Sequence, residues 1–158
     1  MNPSAHPPVH SSVQKWLGMD RDELDAIYRN CERAGSIPTG EMRGTAIVAG
    51  SPFSRTLAKF ARMFGWQGKV FDTFAADGTA GVLINKITMF SLTFIVAKVY
   101  RDASWMDDKE TIVIDYSTTS FFCRKVRDEI REIEPGVYLG KVWWGKKRVL
   151  DFALTQKP

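Results

Sequence analysis

The spacing of apolar residues divides the chain into a helical beginning and a strand-rich remainder. Leu24, Ile27, Tyr28 and Cys31 recur at helical intervals. Asp20 followed by Glu23 supplies a capping-box start, and Gly35 stands where a left-handed C-terminal cap is expected. A second stripe, Leu57, Phe60, Ala61 and Phe64, follows Ser51-Pro52 and is closed by Gly65. Each stripe is greasy on one face only, so both helices are expected to cover something larger. Beyond residue 68 the pattern shortens toward alternation. Strands are predicted over Lys69–Phe74, Gly81–Thr88, Phe90–Tyr100, Thr111–Tyr116, Val137–Trp144 and Arg148–Leu154. In the third of these, Phe90, Leu92, Phe94 and Val96 lie on one face and Ser91, Thr93, Ile95 and Ala97 on the other, so both faces are open to being covered. Trp105 to Lys109 reads as a turn, and Gly145-Lys146-Lys147 as the tip of the last hairpin.

Residues 121–134 fit two patterns. Phe122, Val126, Ile130 and Ile133 lie at helical intervals, while Glu134-Pro135-Gly136-Val137 is a tight-turn sequence. Proline presets the first central residue of such a turn and glycine tolerates the second. The turn tips Arg127–Ile133 toward a strand paired with Val137–Trp144. Five to eight strands in sequential hairpins imply an α+β protein built on an antiparallel meander. Rolled closed, that meander is a lipocalin- or calycin-like β-barrel, with the two N-terminal helices covering one end.

The length of 158 residues suits one domain, expected over 19–158 after a disordered lead-in over 1–18 that is rich in Pro, Ser and His. The lead-in lacks the apolar core of a signal peptide, and no apolar run reaches the roughly 20 residues of a membrane span. A cytoplasmic location follows as the expectation. Two cysteines, Cys31 and Cys123, make no framework; a small buried thiol at Cys31 is the simpler reading beside a Cys31–Cys123 bridge. The net charge of +4 is spread among acidic residues, except where Lys141, Lys146, Lys147 and Arg148 gather near Trp143 and Trp144. Such a cluster suits a solvated hairpin tip better than a nucleic-acid surface. Because Trp143 and Trp144 are adjacent in a strand, they face opposite sides. One of them therefore leaves the central core, and a homodimer contact is one use for it.

The chain carries no phosphate-binding loop, dinucleotide fingerprint or nucleophile elbow. Its only histidines are His6 and His10, both in the lead-in, so no histidine-based triad, zinc site or haem site is expected inside the fold. No cofactor or metal is implied. The remaining chemistry lies in charged and phenolic residues on predicted strands. Asp115 interrupts the apolar run Ile112 to Tyr116, and Asp151 does the same between Leu150 and Phe152. A buried carboxylate needs a partner, a wet cavity or an outward orientation. Asp115, Tyr116, Asp128, Glu129 and Arg131 form the candidate catalytic set. Trp66, Phe71, Phe94, Trp105, Arg127, Tyr138 and Trp144 are the candidate ligand-binding residues.

Ile37-Pro38-Thr39-Gly40 and Gly65-Trp66-Gln67-Gly68-Lys69-Val70-Phe71-Asp72 resemble the opening motifs of the GXWXG-type bacterial proteins. In that group a Pro-Thr-Gly loop precedes a Trp-x-Gly-Lys-x-Phe strand. Val137–Trp144 is loosely similar to the group's later hairpin. The chain departs from the group at Glu41, where a histidine is usual, so no role of that histidine carries over. The resemblance implies a lipocalin-like β-structure and supplies no reaction. The leading expectation is a barrel that holds a small, largely apolar molecule. The alternative is a cofactor-independent isomerase, cyclase or lyase in the same cavity, and a third class is an interaction module built on an exposed Trp and the 146–148 tip.

Overall fold

The computed structural model describes residues 10–48, 66–73, 80–89, 92–118 and 124–157, with the backbone alone at 66–69, 73, 80–89 and 92–95. Two short helices come first, α1 (Ser11–Trp16) and α2 (Arg21–Asn30). Eight strands follow: β1 (Gly40–Ile47), β2 (Trp66–Thr73), β3 (Ala80–Met89), β4 (Leu92–Ala103), β5 (Glu110–Asp115), β6 (Val126–Glu134), β7 (Val137–Trp144) and β8 (Lys147–Gln156). Each pairs antiparallel with the next, and β8 pairs back onto β1, so the meander closes into a barrel. Among the described helices, none is long and apolar enough to cross a membrane.

Register fixes which residues look inward. Ile112 lies opposite Ile130, Ile130 opposite Gly140, and Gly140 opposite Phe152. With Met42, Phe71, Ala97, Val99, Ile114, Tyr138 and Leu154 they form the interior cluster. Gly140 is required there by close approach, since a Cβ at that position would land on the Phe152 ring. The β6–β7 turn is the expected Pro135-Gly136 pair, with Gly136 at φ +72°. That settles 126–134 as a strand.

Strand β1 is absent from the sequence expectation. Its inward positions, Met42, Gly44 and Ala46, are interleaved with Glu41, Arg43 and Thr45, so the apolar signal is thin. In β4 the inward residues are Ala97 and Val99, while Val96 is 41% exposed. Of the two faces that the sequence leaves open to cover, the described positions bury the one carrying Ala97. The lead-in also stops short of residue 18: α1 buries Val13 and Trp16. The helix expected over 51–65 lies outside the described residues.

The helix α2 has the expected capping box. Asp20 accepts from Glu23 N at 2.9 Å and Glu23 accepts from Asp20 N at 2.8 Å. Of the two helices expected to cover a barrel end, α2 is the one described, and it does not cross an end. Val13, Trp16, Leu24 and Tyr28 instead pack on the outer wall against Ile47, Val137, Leu139 and Ala153. The end of the barrel at Glu110 and Glu134 is covered by residues 31–38, from which Ala34 and Ile37 join the interior cluster. Glu132 N donates to Ala34 O, and the Tyr138 hydroxyl donates to Ser36 O at 2.9 Å. Cys31, at the end of α2, is a free thiol whose single S–H has Arg33 O at 3.1 Å and Glu132 O at 3.4 Å as acceptors within reach, and it makes no bridge. Cys123 lies outside the described residues.

Candidate functional site

Successive strand residues point to opposite faces, and this divides the candidate catalytic set. Tyr116, just past β5, and Asp128 of β6 face inward and are almost fully buried. The Tyr116 hydroxyl donates to Asp128 Oδ2 at 3.1 Å. Among the described residues, Ile114, Ile130, Val126 and Val142 belong to the cluster beside them. The pair lies toward the barrel end opposite the 31–38 plug. From this Asp115 end depart the connections joining β1 to β2, β3 to β4, β5 to β6 and β7 to β8.

Asp115, Glu129 and Arg131 belong to the outer wall. Asp115 accepts from Ser117 N at 2.8 Å and from the Tyr100 hydroxyl at 3.3 Å. Burial pushes its carboxyl up, but these hydrogen bonds and the nearby Arg127 charge outweigh it and hold the group below the usual carboxylate range. A carboxylate held there is a weak base. Glu129 is fully buried and accepts from Ser104 Oγ at 2.6 Å, Trp105 N at 2.9 Å and Arg127 Nε at 2.9 Å. Arg131, also fully buried, grips Asp107 with two hydrogen bonds at 2.7 and 2.8 Å. It donates as well to Tyr28 O, Lys109 O and Glu110 O, and its guanidinium lies 4.3 Å from the Tyr28 ring centre. Its hydrogen-bonding capacity is spent on holding α2 and the β4–β5 loop against β6.

A second outer cluster sits beside it. Lys141 is fully buried, 2.9 Å from Asp25 of α2 and 3.2 Å from Asp151 on the neighbouring strand. Arg148 also pairs with Asp25. The Asp151 carboxylate thus finds its partner in Lys141, although the contact is an ion pair without hydrogen-bond alignment at Oδ1. Burial pushes Asp25 up, yet Lys141 and Arg148 together hold it below its ordinary value. The Tyr28 hydroxyl meets Thr111 Oγ1 at 2.7 Å, and Thr111 in turn donates to Ile130 O, so Tyr28 is the donor. Burial raises the Tyr28 phenol well above its ordinary range.

The candidate binding residues separate in the same way. Phe71 and Tyr138 are interior, Tyr138 at the plugged end. Arg127 and Trp105 are on the outer wall, where the guanidinium lies 4.5 Å from the indole centre. Trp144 ends β7 and is 40% exposed, while Trp143 is buried against Trp105 with ring centres 5.9 Å apart. Trp66 and Phe94 are placed in β2 and β4 by their backbone. Sequence reasoning missed Tyr28, Asp25, Ser104 and Asp107 as partners of the buried charges. The alternation of β6 was the available signal: Glu129 and Arg131 share one face, and Asp128 takes the other.

A cleft of about 660 Å³ opens at the plugged end, lined by Glu32, Arg33, Gly35, Ser36, Arg101, Glu110 and Glu132. It is polar, and its charges are largely satisfied within the fold. Arg101 pairs with Glu110 at 2.9 Å and donates to Gly35 O, while Glu132 accepts from Ser36 N and Gly136 N. It is not the apolar pocket that the aromatic content suggests. Among the described residues no group of His, Cys, Asp and Glu could hold a metal ion.

No protein-family model matches the chain, and no curated protein does. A crystal structure of a protein from Thermomonospora curvata is similar over 93% of this chain and 97% of that one, with a TM-score of 0.55 and 17% identity. At that identity the likeness shows the barrel-like fold and nothing finer.

Proposed function

We propose that the barrel holds a small, largely apolar molecule, oriented by the Tyr116–Asp128 pair on a lipocalin-like scaffold. The observation that carries this reading is the pair itself. A hydrogen-bonded carboxylate and phenol in an apolar cluster are costly to bury, and such convergent polar groups in apolar walls are what small-molecule sites use to fix orientation. The two motif halves of the GXWXG resemblance also meet in the fold, with Gly40 opposite Phe71 in the β1–β2 ladder. This supports a kinship of architecture with that group.

Proton transfer is the second reading, and the same pair favours it. Tyr116 donates to Asp128, so a carboxylate base and a phenolic donor lie within one hydrogen bond of each other. An isomerase, cyclase or lyase would need both. Asp115, Glu129 and Arg131 are engaged on the other side of the wall and do not join that chemistry.

Titration with the neutral fluorophore N-phenyl-1-naphthylamine tests the binding reading. Saturable binding that weakens about tenfold in Asp128→Asn, the scale of one lost buried hydrogen bond, is the expected result. Unchanged affinity in that variant would detach the pair from binding. Native mass spectrometry of the purified protein reads any retained molecule directly.

A further inference from the structure

The start of β6 and the β7–β8 turn meet at the Asp115 end. Gly145 N donates to Lys125 O at 2.7 Å, and Trp144 lies opposite both Val126 and Lys147. The two stretches read Arg124-Lys125-Val126-Arg127 and Trp144-Gly145-Lys146-Lys147-Arg148, which is six cations and no carboxylate in nine residues. Arg127 and Arg148 turn back to Glu129 and Asp25. Arg124, Lys125, Lys146 and Lys147 are exposed. Two indoles stand among them, Trp144 at 40% and Trp105 at 36% exposure.

We propose that this tip docks the protein on an anionic lipid bilayer. The charge of the surface is complementary to such a membrane, and basic residues held within a screening length of about 8 Å add their attractions. Partly exposed indoles suit the headgroup layer, where one part of the ring meets hydrocarbon and another meets water. Single-stranded nucleic acid matches the charge but not the Trp105 ring. Its bases need open aromatic faces, whereas the Trp105 ring already carries Lys146 Nζ at 3.6 Å and Arg127 at 4.5 Å from its centre. Trp143 packs against it edge-on. The proposal is independent of what the barrel interior holds.

Co-sedimentation with phosphatidylcholine vesicles, with and without a quarter of phosphatidylserine, tests it. Binding is expected only with phosphatidylserine, and it should be lost at high salt. Lys146→Glu combined with Lys147→Glu should weaken it about tenfold or more, and Trp144→Ala about threefold. Lys125→Glu gives a second charge reversal on a different strand, so one misfolded variant does not decide the outcome. Thermal unfolding of each variant is measured alongside. Equal binding to both vesicle types overturns the proposal, as does no binding to either or full retention in the charge-reversed variants. Tighter binding to oligothymidylate than to the anionic vesicles overturns it in favour of nucleic acid.

Discussion

On their inner face, β5 to β8 bury the Tyr116–Asp128 pair among aliphatic residues, whereas the outer face of the same strands buries Glu129, Arg131, Lys141 and Asp151 beneath α2 and the β4–β5 loop. The two faces handle buried polarity in opposite ways. Outside, nearly every charge meets an opposite charge or several backbone groups. Inside, a carboxylate is shown with a phenol in an aliphatic setting. The outer network locates a helix and a loop, whereas the inner pair sets a carboxylate and a phenol on the face that lines the barrel interior. Buried charge by itself therefore does not mark the site. What distinguishes the two faces is where each group points: the outer charges are pinned beneath a helix and a loop, and the inner pair faces the barrel interior.

This contrast is open to attack on both sides. Arg131→Ala leaves Asp107 and three carbonyls without their partner, and should cost about 3 to 5 kcal/mol in urea unfolding. A loss below 1 kcal/mol would show that the outer network does not hold the helical cover. Lys141→Met keeps the stem's bulk but strips Asp151 of its nearer cation, and because Arg148 still serves Asp25 and lies 3.9 Å from Asp151 the loss should be about 2 to 3 kcal/mol. Acid acts on the same network. Asp25 and Asp107 are both held below the usual carboxylate range by their cationic partners, against the upward push of burial. A carboxyl depressed in the folded state contributes stability that is present above its unfolded value and is lost as pH falls through the folded one. Stability should therefore fall below about pH 4, and Asp25→Asn should flatten part of that descent. An unaltered acid profile in Asp25→Asn would remove this pair from the account.

The interior should respond more mildly. Tyr116→Phe should cost about 1 kcal/mol while reducing fluorophore binding, separating function from stability as the outer variants do not. The smallest expected effect is Trp144→Ala, within about 0.5 kcal/mol for a half-open surface residue. A large loss there would mean that the indole is part of the core rather than an accessible feature.

Much of the barrel was legible in the sequence because its later strands alternate and its turns carry their own chemistry. Pro135-Gly136 and Gly145-Lys146 sit where the chain reverses. The first strand was illegible for a physical reason. Interior positions filled by Gly44 and Ala46 give no apolar signal, and the β8 ladder holds them in place. Likewise α1 is only six residues long, and its burial of Val13 and Trp16 depends on a wall formed by distant strands. The site was half legible. Asp151 was expected to have a partner, a wet cavity or an outward orientation, and it faces the outer wall beside Lys141. Grouping Asp115 with Tyr116 and Asp128 with Glu129 overlooked the alternation that sends adjacent residues to opposite faces. The partner of Arg131, Asp107, lies in a loop whose fold-back no local pattern announces.

The ladder between β1 and β8, running from Met42–Gln156 to Ile47–Asp151, has a consequence for how the chain is made. During synthesis β1 has only β2 to pair with until the final strand leaves the ribosome. Its other edge stays open for the time needed to translate more than a hundred intervening residues. Contacts of such long sequence separation close late and slowly. A nascent chain stalled before residue 147 would expose two unpaired edges, β1 and β7, making it a candidate for chaperone capture that the finished ring is not.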